Sequence, residues 1–123
     1  MIMFKAFSRN LRSGNLSDLW GYSNREYKVG SEYSCNDITP EETWKETYKG
    51  FCMVKTYEDL KRYLDKTDNI YSINCQLEVP DDAVILACKE SWDIEDIPEY
   101  WCTKMKIVKI IDKLDLAGFE FID

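Results

Sequence analysis

The sequence IYSINCQLEV, residues 70–79, decides the fold of this chain. Apolar side chains occupy every second position from Tyr71 to Val79, and polar side chains occupy the positions between them. A period of two is typical of a β-strand that lays one face on a hydrophobic core. The stretch therefore predicts a central strand, and the patterns on either side of it predict what packs around that strand.

Shorter patterns predict further strands on both sides of the central one. Towards the N-terminus we expect strands over residues 1–7, 26–33 and 51–54, with Gly30 marking a turn or bulge. Towards the C-terminus, Pro80 turns the chain, and we expect strands over residues 83–88 and 101–111. Val108, Ile110 and Ile111 break the alternation of the last strand, which favours burial on both of its faces.

Two helix starts carry capping residues. The run Thr39-Pro40-Glu41-Glu42 offers an N-cap, a proline at the first helical position and a glutamate at N3, and this helix ends by Gly50. Thr56 precedes two acids and an apolar stripe, which predicts a second helix over residues 57–65. The whole chain, residues 1–123, is therefore predicted to be a single α+β domain, a mainly antiparallel sheet with two short helices packed on it.

Length and composition limit the classes of protein to which this chain can belong. The chain has 123 residues, of which 45% are hydrophobic, enough for one domain with a real core. Its longest charge-free apolar run, residues 83–88, is far shorter than the roughly 20 residues that a membrane-spanning helix needs. The N-terminal residues also lack the pattern of a signal peptide. We therefore expect a cytoplasmic protein with no membrane association.

Several kinds of chemistry are excluded by what the sequence lacks. There is no histidine, which removes Ser-His-Asp and Cys-His catalysis and histidine-containing zinc sites. The five cysteines show no C-x-x-C spacing and are interpreted as reduced structural thiols. Glycine-rich phosphate loops, the nucleophile-elbow motif and the calcium-loop pattern are absent too. The sequence accordingly predicts no catalytic residue, no metal and no cofactor, and it favours a protein that is not an enzyme.

Charge is the strongest functional signal in the sequence. The formal net charge is −7, and the acids are densest over residues 78–99, where Lys89 is the one opposing side chain. Such a surface repels nucleic acid and attracts basic clefts, so we expect no direct nucleic-acid binding. A host protein with a basic cleft, a nuclease or another nucleic-acid-binding protein, would be a natural partner. The alternative is an ordinary solvated acidic face that serves solubility.

Aromatic residues flank the acids in this segment. Tyr and Trp beside charge are typical of protein-binding hot spots, and we expect Trp92 to make contacts but Trp101 to lie in the core. Catalytic carboxylate pairs or a metal site are disfavoured here because the acids are predicted to be solvated. The predicted partner-binding residues are Asp81, Asp82, Glu90, Trp92, Asp93, Glu95, Asp96, Glu99 and Tyr100.

Several short pieces of the chain form a recognisable pattern, namely Phe4-Lys5-Ala6-Phe7, Tyr27-Lys28-Val29-Gly30 with Tyr33, Lys49-Gly50-Phe51-Cys52, Tyr63 after a short helix, and Cys102-Thr103-Lys104-Met105-Lys106-Ile107. Together they resemble an uncharacterised family of small phage and prophage proteins. The family has histidine where this chain has Cys52, so any histidine-dependent activity of the family would not be shared. The helix predicted over Glu41–Glu46 and the heavier acidic loop are further departures. The resemblance implies a phage or mobile-element context but no mechanism.

Three functions are consistent with the sequence. The first is a small acidic inhibitor of a host protein, for example of a bacterial defence system, that imitates nucleic acid. The second is a small NAD-using enzyme similar to ADP-ribosyltransferases, for which Lys5, Tyr63 and Glu99 are the candidate residues. The third is a structural or housekeeping phage protein. The sequence does not identify the partner or the oligomeric state.

Overall fold

The chain is described by a computed structural model over six segments, residues 1–9, 13–18, 25–35, 50–66, 71–88 and 97–115. Nine strands and one helix lie within these segments. They are β1 (Ile2–Arg9), β2 (Leu16–Asp18), β3 (Glu26–Tyr27), β4 (Glu32–Ser34), β5 (Phe51–Met53), α1 (Tyr57–Lys66), β6 (Tyr71–Glu78), β7 (Ile85–Cys88), β8 (Glu99–Cys102) and β9 (Lys104–Asp115).

The larger sheet is built around β6, the strand with the strictest alternation. It pairs antiparallel with β1 on one side and with β9 on the other, and the full strand order is β3-β2-β1-β6-β9-β4. Ile73, Cys75 and Leu77 of β6 are completely buried on one face, as the alternation predicts. Gly30 has a φ of 92° and separates β3 from β4, so the predicted turn lies where only glycine adopts the backbone without strain.

A smaller sheet, in the order β5-β8-β7, joins the larger one at two places. Phe4 of β1 and Val54, just after β5, exchange backbone hydrogen bonds of 2.8 and 2.9 Å. The second junction is Thr103, between β8 and β9. Its N–H donates to the carbonyl of Val84 at 3.1 Å, and its own carbonyl accepts from the N–H of Cys35 at 2.8 Å. One continuous stretch of chain therefore leaves the smaller sheet and enters the larger.

The two sheets enclose the larger of two hydrophobic cores. Tyr27 lies inside it, 1% exposed, with its ring 5.4 Å from that of Phe7 and 4.9 Å from that of Tyr33 in edge-on geometry. The smaller core lies outside the sheets beneath α1 and comprises Ala6, Val54, Leu60, Leu64 and Ile97. Because successive residues of a strand point to opposite faces, β1 contributes to both cores.

Helix α1 begins where the second capping signal predicts it. The Thr56 hydroxyl accepts a 3.1 Å hydrogen bond from the N–H of Asp59, and Leu60 and Leu64 are buried in the smaller core. The helix predicted from Thr39 lies, up to residue 49, outside the described residues. A mostly antiparallel sheet with one helix is thus confirmed, and the prediction of two helices is not borne out. In the described segments no helix is long and apolar enough to span a membrane.

The last strand corrects one prediction. Val108 and Ile110 are 39% and 38% exposed, so burial on both faces late in the strand is wrong. The register between β6 and β9 shifts twice, between Asn74 and Cys75 and between Gln76 and Leu77. Each shift sets two residues of β9 against one step of β6, which is a β-bulge, and the bulges account for the broken alternation.

Candidate functional site

The structure describes four of the nine predicted partner-binding residues and places them at two ends of the β7–β8 pair. Asp81 and Asp82 lie in the turn that precedes β7. Glu99 begins β8 opposite Cys88, the last residue of β7, and Tyr100 follows it. The four residues of β7 span roughly 10 Å between these ends, at about 3.3 Å per residue. Glu90, Trp92, Asp93, Glu95 and Asp96 lie outside the described residues.

At the first end, one of the two aspartates is neutralised. Asp82 forms an ion pair with Lys104, and the two side chains are 68% and 36% exposed. The hydrogen bond and charge of Lys104 lower the pKa of Asp82, and Asp82 raises the pKa of Lys104 in turn. Pairs this exposed contribute little to stability. Asp81 is also exposed, so this end keeps a negative charge at the surface.

At the second end, the two aromatic residues of β8 point to opposite faces. Tyr100 packs against the larger core, and Cys102, two residues later, is fully buried. Alternation therefore turns Glu99 and Trp101 to the outer face of the smaller sheet, where Trp101 is half-buried. The sequence predicted Trp101 in the core, whereas it is half-buried and belongs to neither hydrophobic core; the partner contact of Tyr100 stays a prediction. Their positions follow from the β8 register, which the sequence did not specify.

The negative charge of the chain is unevenly distributed along the sequence. Residues 1–62 hold ten basic and nine acidic side chains, and residues 63–123 hold six basic and fourteen acidic ones. Residues 89–96 hold four of those acids, and the pairing of Cys88 with Glu99 fixes the chain on both sides of them.

A small hollow lies between α1 and the junction of β1 with β5. Its polar side chains are Lys5, Cys52, Tyr63 and Glu99, and its volume is about 30 Å³, room for no more than about two water molecules. The Lys5 ammonium donates a 2.9 Å hydrogen bond to the Cys52 carbonyl, and the Cys52 thiol lies 3.7 Å from Glu99 Oε2. The hollow thus brings together the three residues that the NAD-enzyme alternative names, with a thiol beside them.

A partly buried polar network lies on the outer face of the larger sheet, next to α1. Tyr57 donates a hydrogen bond to Asp112 Oδ2, and Asn74 donates to Asp112 Oδ1 at 2.6 Å. Ser72 donates to Asn74 Oδ1 at 2.9 Å, and both of these residues are buried. Burial raises the pKa of Asp112 above its ordinary value of 3.8. The network connects α1 to β6 and β9.

The described cysteines are thiols. None of Cys35, Cys52, Cys75 and Cys102 forms a disulfide bond. Burial raises the pKa of Cys75 and of Cys102 to about 12, so both remain protonated at neutral pH. No group of three or more metal-ligating side chains occurs in the part of the chain that the structure describes.

Sequence reasoning missed the polar network and the contact between Cys52 and Glu99. The available signal for the network was Asp112 itself, a carboxylate that directly follows Ile111, the last residue of the predicted strand. Its partners lie 38 and 55 residues away along the chain, and no local pattern predicts such pairs. Comparison with known proteins adds no family to this description, since no family model, no curated protein and no solved structure matches the chain.

Proposed function

We propose that this chain is a small acidic binding protein, encoded by a phage or another mobile element, that inhibits a host protein in the bacterial cytoplasm. The target is a nuclease of a defence system or another protein with a basic nucleic-acid cleft. The acidic surface, residues 78–99 with their flanking aromatic residues, occupies that cleft in place of nucleic acid.

One observation carries this proposal, namely the concentration of acid in one stretch of the chain. Residues 78–99 hold eight acidic side chains and one basic one. Within this stretch, residues 89–96 join two paired strands. A concentrated negative charge of this kind raises the rate of encounter with a basic cleft and disfavours acidic partners.

The test is capture of the partner from a bacterial lysate with tagged protein, at low salt and at about 0.5 M salt, where screening suppresses exposed charge interactions. We expect a nucleic-acid-binding protein that is released at high salt. Replacing Asp93, Glu95 and Asp96 by lysine should abolish its capture. The matched control replaces the exposed Glu32, Glu58 and Asp65 by lysine, which changes the net charge equally and should preserve capture.

Two results would contradict the proposal. One is a captured protein whose binding is equally tight in the triple Asp93, Glu95 and Asp96 variant. The other is an equal loss in both triple variants, which would show that net charge matters and that this segment does not.

A second candidate, a small NAD-using transferase, is favoured by the hollow at β1 and β5. Lys5, Tyr63 and Glu99 are far apart in the sequence and line the same hollow. Its volume of about 30 Å³ is too small for a nicotinamide ring, so α1 would have to move away for NAD to bind. Calorimetric titration with NAD at millimolar concentration tests this candidate, and no heat of binding in the wild type eliminates it. A heat of NAD binding in the wild type that is smaller in the Glu99→Gln variant would support this candidate.

A further inference from the structure

Strand β7 is an edge strand whose outer backbone groups have no partner strand among the described residues. The Val84 carbonyl accepts from the Thr103 N–H at 3.1 Å, and the Val84 N–H donates to the Thr103 hydroxyl at 2.9 Å. Val84 therefore points its backbone groups towards β8. Because these directions alternate along an antiparallel strand, the N–H and C=O groups of Ile85 and Ala87 point away from β8.

β7 is short, but it contains no lysine, proline or bulge that would block strand pairing at its edge. Exposed edges are usually interrupted by lysine, proline or a bulge. β7 reads Ile-Leu-Ala-Cys, and its register with β8 is regular over all four residues. An uncharged, regular edge strand is suited to accept an added strand.

The outer face beside this edge offers an apolar anchor. Leu86 pairs with Trp101 across β7 and β8, and Trp101 pairs in turn with Cys52 of β5, so the three form one row on the outer face. Leu86 and Trp101 are half-buried, and the neighbouring Val84 is 44% exposed. Half-exposed tryptophan with aliphatic neighbours is typical of binding hot spots.

The charges around the edge select the partner. Asp81 and Asp82 precede β7, and Glu99 lies opposite its last residue, so carboxylates stand at both ends of the strand. Lys104 offsets one of them through its pair with Asp82. The net charge of these four side chains is negative. An added strand with lysine or arginine towards its ends would meet opposite charge at both ends of β7.

We propose that the outer edge of β7 binds an extended segment of the partner protein as an additional strand, with apolar residues over Leu86 and Trp101 and basic residues at its ends. This inference rests on the proposed function and states how the partner is held. A second copy of the chain is a poorer occupant. Antiparallel pairing of two β7 strands sets Asp81 and Asp82 of one copy beside the acidic end of the other.

Amide hydrogen exchange in the free protein tests the edge directly. We expect fast exchange at Ile85 and Ala87 and slow exchange at Leu86, whose N–H faces β8 and serves as the internal control. Protection of Ile85 and Ala87 equal to that of Leu86 would overturn the inference. Protection that appears only as the protein concentration rises, together with dimers in sedimentation, would also overturn it in favour of self-pairing.

Binding is tested with an octapeptide of alternating lysine and valine, titrated while tryptophan fluorescence is followed. The matched probe is the same peptide with N-methyl groups on all of its backbone amides, which keeps the charge but removes every N–H group that strand pairing needs. We expect the N-methylated peptide to bind at least about tenfold more weakly, the effect of losing two or more backbone hydrogen bonds. Equal affinity of the two peptides, or no binding of either, would overturn the inference.

Variants of the edge separate this inference from the proposed function. Ala87→Pro removes one outward N–H and leaves the β7–β8 hydrogen bonds in place, whereas Ala87→Ser keeps that N–H and serves as the control. We expect only the proline variant to lose peptide binding and partner capture. If Ala87→Pro still captures the partner in a salt-sensitive way, the proposed function stands and the edge is not used. Should this variant fail to fold, the comparison of the two peptides still decides.

Discussion

At the scale of single residues, Asp112 is the most unusual choice in the described structure. A carboxylate within a sheet is expensive to bury unless hydrogen-bond donors meet it, and here Tyr57 and Asn74 each donate to one of its oxygens. Asn74 is in turn fixed by Ser72, so the amide has a defined orientation. The Lys61 ammonium lies 4.8 Å from the centre of the Tyr57 ring and places a positive charge nearby. The position of α1 on the sheet therefore depends partly on polar contacts.

Asp112 should make stability depend on pH. Because burial raises its folded-state pKa above 3.8, the folded protein holds this proton more tightly than the unfolded chain. Its contribution is fully present below pH 3.8 and is lost as pH rises through the folded-state value. Urea unfolding at a series of pH values should therefore show that the free energy of unfolding of the wild type falls as the pH rises through this range. The Asp112→Asn variant should lack this fall. Parallel curves for the two proteins would contradict this assignment.

At the scale of elements, α1 begins at a capping signal that is visible in the sequence. The Thr56 hydroxyl caps the first turn, and Glu58 and Asp59 place negative charge at the positive end of the helix. Thr56→Ala should lower the free energy of unfolding by about 1 kcal/mol, measured by urea unfolding. Thr56→Ser keeps the hydroxyl and should remain close to wild type. A serine variant as unstable as the alanine variant would show that the hydroxyl does not act as a cap.

The strands show which elements a sequence predicts and which it does not. The alternation over residues 70–79 predicts β6 and its buried face. Successive side chains of a strand point to opposite faces, so an apolar residue at every second position places all of them on one face. β2, only three residues long, was not predicted, since its stability comes from pairing with β1 and from the Ser8–Ser17 hydroxyl contact of 2.9 Å. The β9 bulges are visible in the sequence as a broken alternation, but only the register with β6 identifies that break as bulges and not as burial on both faces. Local sequence patterns do not specify the register between strands that are far apart in the chain.

The same limit applies to the candidate sites. Acidic charge over residues 78–99 is visible in the sequence, but its division between the two ends of β7 follows from strand pairing. The meeting of Lys5, Tyr63 and Glu99 in one hollow also depends on the junction of Phe4 with Val54, which joins the two sheets. Sequence reasoning therefore supplies the types of residue available for function. The pairing of β1, β5 and β8 decides which of them become neighbours.

At the scale of the whole molecule, the two hydrophobic cores share one strand. Met3 and Phe7 of β1 lie in the larger core, and Ala6 of the same strand lies in the smaller core beneath α1. Unfolding of either core disturbs β1, and β1 is hydrogen-bonded to β6 over most of its length. We therefore expect the two cores to unfold together in a single transition, as is usual for domains of this size.

Substitutions placed in each core test this coupling. Leu64→Ala in the smaller core and Ile73→Ala in the larger core should each lower the free energy of unfolding by about 2–5 kcal/mol, because both side chains are at most 3% exposed and each truncation leaves a cavity. Far-UV circular dichroism and tryptophan fluorescence should report the same midpoint within each variant. Val84→Ala, at a position 44% exposed, is the control and should change stability little. If Leu64→Ala splits the transition so that the helical signal is lost first, α1 and the smaller core form a separate unit. The NAD candidate would then gain support, since that helix would be able to open the hollow at β1 and β5.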